Sequence, residues 1–189
     1  MKQILHRQNI IALGLMALMA ATRMHHYGTS LHMPDASLAV FLLAGFFVAS
    51  RMFFGALLLG AGALDYLAIT HFGVSDYCIT PAYWFLIPTY AVLWFAGRHY
   101  ASIYQYSMRS LGVFAGVSFA ATSVAFVISN GSFYLFSGRF VEMNMAEYAH
   151  RVAQYYVPYL SGAAVYLIPA ALLYAVFARR TDTQHSEAH

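Results

Sequence analysis

Charged residues are sparse along the chain and separate long uncharged stretches, at 8–22, 36–50, 52–64, 77–97, 110–138 and 152–178. A helix that crosses a bilayer needs about 20 apolar residues, with a range of roughly 17–25. The last three stretches meet that length outright. The third does so if it runs through Asp65, with that carboxylate facing protein or water. The first two are shorter. They span if Arg7, Arg23 and Arg51 extend their charges to the interface, and a re-entrant hairpin is the competing reading. The pattern predicts an all-α, polytopic membrane protein, a six-transmembrane-helix bundle. Its spans lie near 8–22, 36–50, 52–71, 81–97, 110–130 and 155–178, forming one transmembrane domain over 1–178 with a polar cytoplasmic tail at 179–189. Lys2 and Arg7 ahead of the apolar run Ile10–Ala21 also fit a signal peptide, but the segment reads here as the first membrane helix.

Composition agrees with this pattern. Of 189 residues, 61% are hydrophobic and 9% charged, against roughly 25% charged in a soluble domain. With six spans, Lys2, Arg7, Arg51, Arg98, Arg109, Arg179 and Arg180 fall on one side and Arg23, Arg139 and Arg151 on the other. The positive-inside rule then places both termini in the cytoplasm and turns loops 23–35, 72–80 and 139–151 outward. Gly112 with Gly116, and Ala17 with Ala21, are small-residue pairs of the kind that let membrane helices approach closely.

The outward side carries more chemistry. His25, His26, His32, Asp35, Asp76, Cys78, Glu142, Glu147, His150 and Arg151 lie there, with His71 at its edge. Tyrosines are also more numerous on that side than on the inner one. An interfacial aromatic belt explains part of this, but a belt belongs on both faces, so the excess points to a pocket opening outward. Thr80 and Pro81 suit an N-cap and first helical position, which puts the single cysteine, Cys78, just ahead of the fourth helix. The helix dipole there favours a thiolate and Asp76 opposes it. Asp65, inside an apolar span, is either a functional carboxylate or an ion-pair partner that orients the bundle. Asn144 to Glu147 resembles a capping box. Arg151 is then either the i,i+4 partner of Glu147 or a hand extended to a ligand. Pro158 and Pro169 are expected to kink the last span.

No Walker A loop is present, which excludes ATP hydrolysis by this chain, and CxxC, HExxH and GxSxG are missing as well. Nothing suggests nucleic-acid binding. Three other readings remain open from the residues alone. A membrane metal or haem protein would use His25, His26 and His71 with the nine methionines. A membrane thiol enzyme would use Cys78 as nucleophile, His26 or His71 as base and Asp65 as orienter. A purely structural subunit would use none of them.

Asp65 in the third span, the run Asp76-Tyr-Cys-Ile-Thr-Pro-Ala-Tyr83, His26 after the first helix and Arg151 before the last together resemble the BtuM family of small bacterial cobalamin transporters. These are relatives of the substrate-binding S-components of energy-coupling-factor (ECF) transporters. The resemblance covers nearly the whole chain and implies an S-component-like bundle in the bacterial inner membrane, with a cobalamin or cobinamide site facing the periplasm. It implies that Cys78 ligates the corrin cobalt and promotes decyanation of cyanocobalamin. His26, Asp65, Tyr83 and Arg151 match the family's polar set around the site. Ala17 and Ala21 resemble the motif by which S-components meet an ECF coupling module, which family members can also lack. Transport comes first in this reading and the enzymatic step second. The physics is compatible: a corrin is wide, flat and edged with amides, and a thiolate is a strong soft donor to its metal.

Overall fold

The computed structural model describes residues 2–23, 33–105, 107–140 and 144–186, with side chains over 6–23, 33–105, 107–140 and 144–175. Six α-helices follow in order: α1 Lys2–Arg23, α2 Ser37–Phe47, α3 Arg51–Phe72, α4 Leu86–Ile103, α5 Met108–Phe136 and α6 Met145–Ser186. Two short 3-10 segments, Asp76–Cys78 and Pro81–Phe85, connect α3 to α4. Among the described residues there is no strand.

Local chemistry sets most of the boundaries. Ser50 caps α3 by accepting from the Phe53 amide at 3.2 Å, and Gly73 ends it in the left-handed region at φ 68. Ser107 caps α5 through the Ser110 amide, 3.2 Å away. Asn144 Oδ1 accepts from the Glu147 amide at 2.8 Å, as the capping signature predicts. Pro158 and Pro169 both lie inside α6, which runs on through Ser186.

Among the described residues three helices are long and apolar enough to cross a membrane: Arg51–Phe72, Met108–Phe136 and the Met145–Ala175 part of α6. Large apolar side chains point out of the bundle all round, from Phe95, 63% exposed, to Leu59, 78% exposed. Water would not tolerate so much apolar surface, whereas lipid would. The second predicted span differs most from expectation. Its helix has 11 residues, about 16 Å at the usual rise, against a hydrocarbon core of about 30 Å. Asp35 holds its start, accepting from the Ser37 amide at 2.9 Å and the Ser37 hydroxyl at 2.7 Å. Ala49, at φ 54, turns the chain back just after its end. Arg98 Nη1 donates to the Ala49 carbonyl at 2.5 Å and closes that turn.

α2 is the centre of the fold. Ser37, Ala39, Val40, Phe41, Leu42, Leu43, Ala44 and Gly45 are all buried. A helix apolar on every face belongs inside other helices. It packs chiefly on α4, and two glycines make that contact possible. A Cβ on Gly45 would run into the backbone carbonyl of Trp94, and one on Gly97 into that of Leu42. The predicted pair Gly112 and Gly116 does no such work, since a Cβ at either would meet nothing within 4 Å. Ala17 and Ala21 also face outward.

Residues 22–23, 65–69, 74–86, 129–134 and 151–155 meet at one end of the bundle, while 43–47, 100–104, 107–114 and 170–175 meet at the other. Successive helices therefore alternate in direction. The second end is aromatic: Phe46 contacts Tyr100, Tyr104 and Tyr174 at centroid distances of 5.3, 5.6 and 5.8 Å.

Candidate functional site

The first end holds a cavity of about 820 Å³ that is open on one side. Its polar floor is built around one guanidinium. Arg23, the last residue of α1, donates from Nε to Asp65 Oδ1 at 2.6 Å and from Nη2 to Asp65 Oδ2 at 2.7 Å. Its Nη1 reaches Ser37 at 2.8 Å, Tyr90 at 2.9 Å and Asp35 at 3.3 Å. Asp65 Oδ2 also accepts from the Tyr83 hydroxyl at 2.7 Å. The network joins α1, the start of α2, α3, the 3-10 segment and α4. A charge inside an apolar bundle is tolerable only with such partners. Of the two roles open to Asp65 from sequence, the geometry displays the ion-pair one.

Cys78 sits on the wall in the 3-10 turn Asp76–Cys78, exposed to the cavity. The turn is initiated by Ser75 Oγ, which accepts from the Tyr77 amide at 3.2 Å. Protein surrounding the half-enclosed space desolvates the thiol and pushes its pKa up. The Asp65 carboxylate adds to that rise, and the Arg139 guanidinium works against it. The opposition expected between Asp76 and a helix dipole is therefore replaced by one between Asp65 and Arg139. Pro81 does open the next segment, but as a 3-10 turn, and Thr80 makes no side-chain cap bond.

The remaining wall is aromatic and amide-bearing. Tyr77, Tyr83, Phe133, Tyr134, Phe140 and Tyr155 line it with Asn130. Asn130 Oδ1 is buried with no hydrogen-bond partner among the described residues. Arg151 lines the same space, pairs with Glu147 at 3.2 Å and lies 4.9 Å over the Phe140 ring. The i,i+4 pair is thus formed on the cavity wall itself.

Cys78, Asp65, Tyr83 and Arg151, from three separate stretches of the sequence, line one cavity. His25 and His26 lie outside the described residues. His71 is exposed, bonds Thr70 at 2.7 Å and is not part of the cavity wall. Among the described residues no three His, Cys, Asp or Glu side chains gather to hold a metal ion. Two arginines that served in sequence only to set topology prove to be structural centres of the site: Arg23 and Arg139. Arg23 ends an apolar run with carboxylates at 35 and 65, but nothing in the spacing selects that pairing. Compared with known proteins, the chain matches no family model and no curated protein sequence.

Proposed function

We propose that this chain is a six-span membrane protein that binds a cobalamin-type corrin in the cavity, with the Cys78 thiolate as an axial ligand to cobalt. The observation that carries the reading is a thiol exposed on the wall of a cavity of about 820 Å³. That volume falls in the range of small-molecule sites, roughly 300–1,000 Å³. The flat aromatic side chains around Cys78 match the broad faces of a corrin, and Arg151 and Asn130 match its amide rim. Asp65 and Tyr83, tied to each other and to Arg23, give this surface a fixed shape, which lowers the ordering cost of binding.

Ligation costs the thiol its proton and replaces the group on one face of the cobalt. A thiolate donates strongly to the metal and weakens a cyanide on the opposite face. Cyanide would leave as the anion with its bonding pair, and a fall of cobalt from Co(III) to Co(II) would take one electron from a one-electron reductant outside this chain. In this reading the chain lies in the inner membrane with both termini cytoplasmic and the cavity opening to the periplasm, an orientation favoured by the excess of Lys and Arg on the side of the termini. The exposed α1 face carrying Ala17 and Ala21 is available to a coupling module, or to lipid where the chain works alone.

The test is the visible spectrum of purified protein incubated with cyanocobalamin, beside Cys78→Ser. Expected is a corrin that co-purifies with the wild type and shows a shifted spectrum, with the shift lost in the variant. A protein that retains no corrin sinks the reading.

A further inference from the structure

We propose that Arg139 is the positioning residue of the Cys78 loop: it holds the Tyr77–Cys78 peptide and the Tyr77 ring against the end of α5 and so presents the thiol to the cavity. The inference starts from how little else holds this loop. Ser75 to Ile79 are all exposed. The hydrogen bonds of the loop are local: Val74 N to Ala68 O at 3.2 Å, Tyr77 N to Ser75 Oγ at 3.2 Å, Ile79 N to Asp76 O at 2.8 Å and Thr80 N to Cys78 O at 3.1 Å. Such bonds shape a turn without fixing where it sits.

Arg139 supplies the long-range hold. Its Nε donates to the Tyr77 carbonyl at 3.1 Å, the oxygen of the peptide that leads into Cys78. Its guanidinium lies 3.9 Å from the centroid of the Tyr77 ring. That ring also meets Phe133 of α5 at 5.8 Å. The geometry of Arg139 is itself determined. Ser137 ends α5, Gly138 turns the chain at φ 70, and the Arg139 amide donates back to Ser137 Oγ at 3.3 Å. The side chain meets the loop from just beyond the end of α5. Next in sequence, Phe140 lies under Arg151. Two consecutive residues thus address the thiol loop and the arginine of α6. A planar guanidinium is suited to this double task, because it offers a directed N–H and a face to stack.

The consequence for ligation rests on the corrin reading, while the clamp itself does not. Cys78 is the single cysteine, so a nitroxide attached by disulfide exchange reports on this loop in the natural full-length chain. Expected are broad lines in the wild type, narrow lines in Arg139→Gln, an intermediate spectrum in Arg139→Lys, and no change in the distant Arg109→Gln. Identical spectra for Arg139→Gln and the wild type would overturn the clamp. With cyanocobalamin as probe, the share of bound corrin showing the thiolate-ligated spectrum should drop about tenfold in Arg139→Gln, since misplacement by an ångström costs up to about a hundredfold. It should recover in part in Arg139→Lys. An unchanged share overturns the positioning role. A wild type that binds no corrin removes the corrin reading, and the label spectra then decide on the clamp alone.

Discussion

The Arg23–Asp65 pair offers a quantitative test of what holds the site together. Replacing Asp65 by Asn removes one carboxylate but leaves Arg23 with Asp35, Ser37 and Tyr90. Replacing Arg23 by Met leaves Asp65 with the Tyr83 hydroxyl alone and strips Asp35 of its cation. Breaking a buried pair from one side costs about 3–5 kcal/mol. The side chains here are 9% and 22% exposed, so the Asp65 variant, whose partner stays solvated by protein, should fall to about 2–3 kcal/mol. Arg23→Met should reach the full 3–5 or so. The double variant Arg23→Met with Asp65→Asn should cost less than the sum of the singles by about 2 kcal/mol, because each single leaves a partner orphaned that the double removes. The assay is unfolding in mixed micelles, followed by far-ultraviolet circular dichroism and by the fluorescence of Trp94, which is buried. Additive effects would refute the coupling. A larger loss from Asp65→Asn than from Arg23→Met would refute the asymmetry argued from the residual partners.

Three further outcomes are expected. Gly97→Ala should destabilise by about 1–3 kcal/mol, because its Cβ has only the Leu42 backbone to displace, whereas Gly112→Ala should be neutral or stabilising by up to about 1 kcal/mol; the same unfolding assay checks both. Alkylation of Cys78 by iodoacetamide should rise with pH past the ordinary thiol midpoint, with Asp65→Asn moving the profile to lower pH and Arg139→Gln to higher pH. The sign carries into stability: the folded chain keeps a proton that the unfolded chain has released, so this contribution is full below the unfolded thiol pKa and fades as pH rises through the folded one. Finally, a membrane-impermeant maleimide should label Cys78 from the outer face of spheroplasts and leave inverted vesicles unlabelled; the reverse pattern would invert the topology.

Parts of this architecture were legible before the fold because they obey local rules. The apolar stretches around Met108–Phe136 and Met145–Ala175 announce themselves by length alone, and Arg51–Phe72 does so once the run is read through Asp65. Asn144, Glu147 and Arg151 are neighbours on one helix, so their cap and ion pair follow from spacing. Asp65 and Cys78 stood out because a carboxylate in an apolar run and a cysteine beside a Thr-Pro start are uncommon. What escaped notice depends on distance along the chain. Arg23 and Asp65 are 42 residues apart and Arg139 and Tyr77 62, and no periodicity links them. Gly45 and Gly97 were missed for the same reason, because a close crossing needs one small residue from each helix, and the spacing rule reads only one helix at a time. Over 36–50 composition does not separate a helix buried in protein from one buried in lipid, because both leave the same apolar residues, and the length of α2, 11 residues, shows only in the structure.

The enclosure of α2 has a consequence for how the chain is made. A segment of about 16 Å leaves the ribosome without enough apolar length to settle across a bilayer alone. The surface that covers it belongs chiefly to α4, which is synthesised afterwards, and next to α1, with α6 and α3 covering less. With α1 alone beside it at first, α2 therefore stays largely uncovered until α4 arrives and Gly97 can meet Leu42. A lesion at that crossing would then show itself first as a chain degraded during insertion.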